Sequence, residues 1–319
     1  MSFRGRFAPS PTGRIHLGNA RSALLGWLQA RAAGGRFLLR IEDLDRARCR
    51  PAFLEDLYRD LTWLGLDWDE PPLVQSERGD LYRDALERLE RLGRVYPCFC
   101  TRAEIARAAS APHGLGDEGP RYPGTCALLP REVREERART RPPAMRFQPL
   151  PGAWCFEDGL HGPVCQDVAT LVGDFVVRRN DGVASYQLAV VVDDVASGIT
   201  DVLRGDDLLG STPRQLQLYQ ALGAPPPRFW HVPLVLGEDG KRLAKREGAF
   251  AVAELRERGL PVERVLGVLA AWSGLGDGSP VTLAELVRRF EPGALPRAPV
   301  VAREALLREA LGWEPAPRG

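Results

Sequence analysis

Lysine is almost missing from this chain. Of its 43 basic residues only Lys241 and Lys245 are lysines, both inside "GKRLAKREG" (240–248), and all the others are arginines. Long apolar runs are missing as well. None approaches the ~20 residues that a membrane-spanning helix needs, and "MSFRGRFAPS" at the start has no apolar stretch of the secretory-signal kind, so a cytoplasmic protein without a membrane segment is expected. Net charge is nearly absent: 43 basic against 42 acidic residues leaves +1, so a nucleic acid would have to meet a local basic face and not a global field. Cysteine is too sparse, at six in 319 residues, for a disulfide framework. Cys49, Cys155 and Cys165 are expected to be small, reduced, buried hydrophobes, whereas Cys98, Cys100 and Cys126 form a group.

The composition that is present, 44% hydrophobic and 27% charged, is that of a globular protein able to bury a core. "RGRFA" can extend and is broken by "PSPTG". Ala20, Ala23, Leu24, Trp27 and Leu28 then recur at helical spacing until Gly34 and Gly35. "RFLLRI" (36–41) reads as a strand that delivers Glu42 at its C-terminal end. A helix follows from Pro51, with Leu54, Leu57, Leu61 and Leu64 on one face. This strand–helix alternation predicts a parallel α/β sheet, whose ligands sit beyond the C-terminal strand ends. From about 98 to 150 the pattern turns irregular, as in an inserted module. "SYQLAVVVDD" (185–194) reads as a buried strand ending in two carboxylates, and "FWHVPLVLG" (229–237) as another. Beyond about 250, "PVERVLGVLAAW" and "VAREALLREAL" read as helices.

"PSPTGRIHLGN" (9–19) has the makings of a phosphate site. A glycine-bearing turn admits a ligand close to the backbone, and the following helix points N–H groups and a positive dipole end at it. His16 stands at that helix start. The lysine pair adds a mobile ammonium on a loop flanked by Gly237, Gly240 and Gly248, suited to follow charge on a triphosphate into a transition state.

Together these stretches resemble the two signature motifs of class I aminoacyl-tRNA synthetases: "IHLGN" is similar to the HIGH motif and "RLAKR" (242–246) to KMSKS. "RFAPSPTGRIHLGNARSALL", "RIEDLDRAR", "SYQLAVVVDD" and "TDVLRGDDLLGSTPRQ" narrow the resemblance to the glutamyl/glutaminyl branch. The resemblance implies a Rossmann-type parallel-sheet catalytic domain over 1–82 and 186–235, an inserted module over 83–185, and a KMSKS-like loop with a helical stem-contact region over 236–319. It implies an L-glutamate site formed by Arg6, Phe7, Ala8, Pro9, Ser10, Glu42, Tyr186 and Arg204, with Arg6 for the side-chain carboxylate, Glu42 for the α-ammonium and Arg204 for the α-carboxylate. ATP, bound with Mg2+, would meet His16, Gly18, Asn19 and Lys245, with His16 and Lys245 catalytic. The loop departs from the pattern: Arg242 stands at its first lysine position and Ala244 at its serine position.

The chain stops roughly 70 residues after that loop, short of the ~100 residues of a further anticodon-binding domain. It therefore resembles the shortened branch, the glutamyl-Q tRNA(Asp) synthetases. That resemblance implies tRNA-independent activation of glutamate, then its transfer to the queuosine cyclopentenediol of tRNA(Asp), by a protein expected to be a monomer. It also implies a structural zinc ion on Cys98, Cys100, Tyr122 and Cys126, where the chemistry of the donors alone suggests His113 as the fourth ligand. A truncated glutamyl-tRNA synthetase and an inactive RNA-binding relic are the alternative readings. The arginine-rich run "REVREERARTR" (131–141) is either a phosphate-facing surface or a solvated helix face.

Overall fold

The structure, a computed structural model, describes residues 2–101, 103–105, 121–241, 243 and 251–312. The chain opens with strand β1 (Arg4–Phe7), helix α1 (Leu17–Ala32) and strand β2 (Arg36–Ile41). Helix α2 (Pro51–Trp63) has the proline at its first helical position, where no amide hydrogen is needed. Strand β3 (Leu73–Val74) and helix α3 (Gly79–Arg91) follow. β1 pairs parallel with β2, and β2 with β3.

The parallel sheet continues much later in the sequence. Strand β9 (Asp201–Gly205) lies beside β1, joined by the Thr200 N–H donating to the Arg4 carbonyl at 2.9 Å. β9 pairs parallel with β10 (Arg228–Val232). The chain thus leaves β1 to build one side of the sheet and returns to build the other. A crevice opens at such a switch point, outside the C-terminal strand ends. β11 (Val235–Leu236), separated from β10 by Pro233, pairs with β12 (Val300–Val301).

Between the two halves stands an antiparallel sheet of β4 (Val95–Cys98), β5 (Ala144–Phe147) and β8 (Phe175–Arg178). The hairpin of β6 (Trp154–Asp158) and β7 (Gly162–Gln166) joins the edge of β10. The run at 131–141 forms an exposed helix, Arg131–Thr140, with Arg131 paired to Glu135. Two apolar clusters make up most of the core. One packs α1 against β2, α2 and the C-terminal helices, including Val262–Ala271. The other packs α3 against β5, β8 and the helix that follows β8. Among the described residues no helix is long and apolar enough to cross a membrane.

Two expectations are corrected here. "SYQLAVVVDD" is a helix, Tyr186–Ala196, capped by the Ser185 hydroxyl accepting the Leu188 N–H. Its residues from Gln187 to Asp194 are all buried, and a helix buried all round has no polar stripe to reveal its period, while three consecutive valines read as strand. Cys155 and Cys165 are not buried thiols. They face each other across β6 and β7, exposed, and are joined by a disulfide. The antiparallel register around the turn at 159–161 puts them side by side, a pairing that spacing shows only once the hairpin is recognised. Cys49 is a half-buried free thiol.

Candidate active site

The C-terminal ends of β1, β2 and β9 open into one cavity of about 570 Å³. Arg6, Phe7, Ala8, Pro9, Ser10, His16, Gly18, Asn19, Glu42, Tyr186 and Arg204 all line it. Residues separated by nearly two hundred positions in the chain are brought together because β1 and β9 are neighbours.

His16 is the N-cap of α1, and its Nδ1 accepts the Gly18 N–H at 3.1 Å. With Nδ1 accepting, the proton of a neutral imidazole sits on Nε2, which makes that nitrogen a donor. Glycine at position 18 leaves room for the His16 ring: a Cβ there would lie 3.0 and 3.1 Å from two of its atoms, so the ring would have to shift. The turn therefore presents a helix N-terminus and an imidazole together, the arrangement that suits an anion.

Buried charge surrounds the end of the cavity at Arg6, Glu42 and Arg204. Asp194, on the Tyr186–Ala196 helix, accepts from Arg6 Nε at 3.2 Å and from Arg40 Nη1. Burial alone would raise the Asp194 carboxyl, but Arg40 and Arg6 outweigh it and hold the group below its ordinary range. Arg40 also donates to Glu42 Oε1 from Nε at 3.3 Å and Nη2 at 3.2 Å. Burial pushes Glu42 up, against the pull of Arg40 and Arg6, so a cation brought beside it would favour its ionised form. The neighbouring Asp193 is spent on structure, accepting from Gln75 Nε2, Arg78 Nε and Tyr82 Oη. Three guanidiniums (Arg6, Arg40, Arg204) thus stand against two carboxylates (Asp194, Glu42). The guanidiniums outnumber the carboxylates, which leaves a surplus positive charge around the cavity.

Arg204 is fixed by a network that inspection of the sequence missed. Its Nε donates to His231 Nε2 at 3.0 Å, and its Nη2 to Thr212 Oγ1 at 2.8 Å and Gln215 Oε1 at 2.9 Å. Tyr186 Oη lies 3.4 Å from Nη1. His231 is Arg204's register partner across β9 and β10. The one available signal was a histidine near the start of the predicted strand "FWHVPLVLG".

Lys245 lies outside the described residues, as do Arg242 and Ala244. The flanks of that loop are described. The Leu243 N–H donates to the Val235 carbonyl at 2.9 Å, and Leu243 lines the cavity. On the other side Ala251 bridges to His16, and the Val252 N–H donates to the Ile15 carbonyl at 2.9 Å. The residues on both sides of the loop are therefore anchored beside the turn that carries His16. Lys241 pairs with Asp239 at 3.2 Å and is exposed.

Cys98, Cys100 and Cys126 have their sulfurs within 4.8 Å of one another and could hold a metal ion. Cys100 and Cys126 are 3.5 Å apart, and Tyr122 Oη lies 3.4 Å from Cys98 and 3.7 Å from Cys100. Zn–S bonds of ~2.3 Å in a tetrahedron put sulfurs about 3.8 Å apart, so the cluster fits zinc with little adjustment. Tyr122 Oη stands beside these sulfurs and accepts the Cys126 N–H at 2.9 Å; His113 lies outside the described residues. Beside the cluster opens a second cavity, about 1050 Å³, lined by Arg48, Arg121, Arg141, Arg146, Arg179 and Arg214. Gln187 also lines it, so the two cavities approach each other at the start of the Tyr186–Ala196 helix.

The profile of the family "tRNA synthetases class I (E and Q), catalytic domain" matches residues 2–299. The "Glutamyl-Q tRNA(Asp) synthetase" of Symbiobacterium thermophilum is 56% identical over 306 residues, covering 93% of this chain and 94% of that one. "Glutamate--tRNA ligase 2" of Halorhodospira halophila is 46% identical over 291 residues, which make up 90% of this chain but 61% of that one. Among solved structures, a glutamate tRNA ligase from Elizabethkingia meningosepticum in complex with its amino acid superposes with a TM-score of 0.84 at 29% identity, covering 97% of this chain and 69% of that one. The chain belongs to the class I tRNA synthetases of the glutamate and glutamine type, and within them to the glutamyl-Q tRNA(Asp) synthetases.

Proposed function

We propose that the protein activates L-glutamate with ATP without help from tRNA and then esterifies it to the cyclopentenediol of queuosine in tRNA(Asp). The observation that carries the reading is the single cavity in which a helix N-terminus with His16 meets a charge pattern complementary to a dicarboxylic amino acid. Arg6 would take the side-chain carboxylate, Glu42 the α-ammonium and Arg204 the α-carboxylate. ATP, with its Mg2+, would lie along His16, Gly18 and Asn19. An α-carboxylate oxygen attacks the α-phosphorus, pyrophosphate leaves, and glutamyl-adenylate remains. A hydroxyl of the tRNA then attacks the activated carbonyl, and AMP leaves. No protein nucleophile is required; position and electrostatics lower the barrier. His16 Nε2–H and the Lys245 ammonium would stabilise the charge that builds on the phosphate. The tethered loop flanks support that role for Lys245, since only seven residues separate Leu243 from Ala251.

The arginine-lined cavity suits a polynucleotide backbone, which would bring the nucleoside toward Tyr186. Zinc on Cys98, Cys100, Tyr122 and Cys126 would stabilise the fold of the module. In this reading residues 1–82 with 186–235 form the catalytic domain, 83–185 the inserted module, and 236–319 the loop and stem-contact region of a cytoplasmic monomer.

The test is glutamate-dependent exchange of pyrophosphate into ATP without tRNA, followed by transfer to tRNA(Asp) with and without queuosine. Exchange, and transfer only to the queuosine-containing tRNA, is expected. Exchange that requires tRNA, or transfer to tRNA lacking queuosine, would mark a truncated glutamyl-tRNA synthetase. No exchange with any amino acid would mark an inactive relic.

A further inference from the structure

Arg204 has five N–H donors, and three are committed to His231, Thr212 and Gln215. The remaining two are on Nη1, one of them donated to Tyr186 Oη at 3.4 Å. Whatever fixes the far side of the guanidinium therefore sets the direction in which Nη1 is offered to a ligand. Thr212 and Gln215 hold one nitrogen, Nη2. His231 holds Nε, so it stops the plane from turning about that nitrogen.

His231 can do this in one tautomer only. It is fully buried, and its Nε2 is met by Arg204 Nε–H at 3.0 Å and by Thr212 Oγ1 at 3.2 Å. The Nε2 lone pair must accept from the arginine, which leaves the proton on Nδ1. There Asp158 Oδ2 accepts it at 2.6 Å. The other oxygen of Asp158 accepts the N–H groups of Leu160 and His161, each at 3.0 Å. The carboxylate is thus pinned by the β6–β7 turn and cannot swing away. The charged and titratable groups facing the ring are Asp158 from β6, Arg204 from β9 and His161 from the turn, with Thr212 from the helix after β9 and the Phe156 and Phe229 rings closing it in.

We infer that His231, locked by Asp158 as the Nδ1–H tautomer, is a positioning residue: it orients Arg204 and thereby sets the affinity for the carboxylate of the amino-acid substrate. This rests on the reading of Arg204 given above. His231 touches no substrate, and Asp158 acts through His231.

Asp158→Asn isolates the device. The amide oxygen can still accept the Leu160 and His161 N–H groups, so the NH2 faces Nδ1. Nδ1 must then accept, the ring proton moves to Nε2, and two donors oppose each other at Arg204. In pyrophosphate exchange the KM for glutamate is expected to rise at least about tenfold, with the KM for ATP and kcat changing by less than about threefold. His231→Gln, whose amide oxygen can take the place of Nε2, is expected to keep the glutamate KM within a few-fold of wild type; His231→Leu is expected to behave like Asp158→Asn. An unchanged glutamate KM in Asp158→Asn and His231→Leu, or equal rises for glutamate and ATP, would overturn the inference. Nitrogen-15 NMR of histidine-labelled wild-type protein, with the His231→Gln spectrum identifying the resonance, reads the tautomer directly even if Asp158→Asn or His231→Leu fails to fold. An Nε2–H tautomer there would overturn the inference as well. Absence of exchange in the wild type would instead remove the proposed function, leaving the tautomer result to stand.

Discussion

Acid should destabilise this protein through His231, and the size of the effect can be worked out. Burial, aided by Arg204 and opposed by the hydrogen bond to Asp158, lowers the imidazole from an ordinary 6.5 to about 4. The folded state therefore binds fewer protons than the unfolded chain between those values, and stability falls as pH drops through that window. Between pH 7 and pH 4.5 the unfolded histidine becomes almost fully protonated while the folded one stays largely neutral, a loss of about 2.5 kcal/mol. Other groups titrate in the same range with the opposite sign. Burial raises the Asp60 carboxyl to about 6 despite Arg256, so protonating it on acidification favours the fold. Asp158 is held below its ordinary range, so its own protonation costs stability only at lower pH. The comparison that isolates His231 is therefore a double difference: urea unfolding of wild type and His231→Gln at pH 7 and 4.5. The wild type is expected to lose about 2.5 kcal/mol more than the variant over that interval. Equal losses in the two proteins would refute the buried, neutral histidine, and with it the acceptor role of Nε2.

Asp194→Asn should cost ~3–5 kcal/mol in denaturant unfolding, because it leaves Arg6 and Arg40 buried without their shared carboxylate; a loss under about 1 kcal/mol would mean the pair is not held as described. Lys245→Ala should lower kcat for pyrophosphate exchange by ~10²-fold with little change in the glutamate KM, as expected of a group that acts on developing phosphate charge; a KM effect alone would contradict that. Replacing both Cys155 and Cys165 by serine should lower stability by at most about 3 kcal/mol, the chain-entropy value for so short a loop, and iodoacetamide labelling of unreduced protein should leave both residues unmodified. Metal analysis of protein purified without chelator should find one zinc per chain, lost in Cys98→Ser; in that variant amide exchange in β4, β5 and β8 should accelerate while glutamate activation persists.

Local chemistry was legible in the sequence where the signal is local. Helix α1 and strand β2 follow from periodicity and from the breaks at "PSPTG" and Gly34–Gly35. The His16 cap follows from the order of turn and helix, and Glu42 from the end of a strand. The Cys98–Cys100–Cys126 group followed from spacing and resemblance, and the cluster geometry agrees. The "SYQLAVVVDD" segment misled because complete burial erases the period that tells helix from strand. Asp194 was noticed only as part of a terminal carboxylate pair; its partners Arg6 and Arg40 come from β1 and β2, on the far side of the sheet switch.

By itself the sequence determined the family, the glycine-bearing turn before α1 and many of the residues that line the cavity, since each of these is written in short stretches whose conformation depends on near neighbours. Tertiary structure alone decided that Asp158, His231 and Arg204 form one hydrogen-bonded line, that Asp194 is shared by two arginines, and that Cys155 meets Cys165. Those relations depend on which strands become neighbours and in what register, and strand adjacency is set by the packing of the whole sheet, not by any segment that contains the residues.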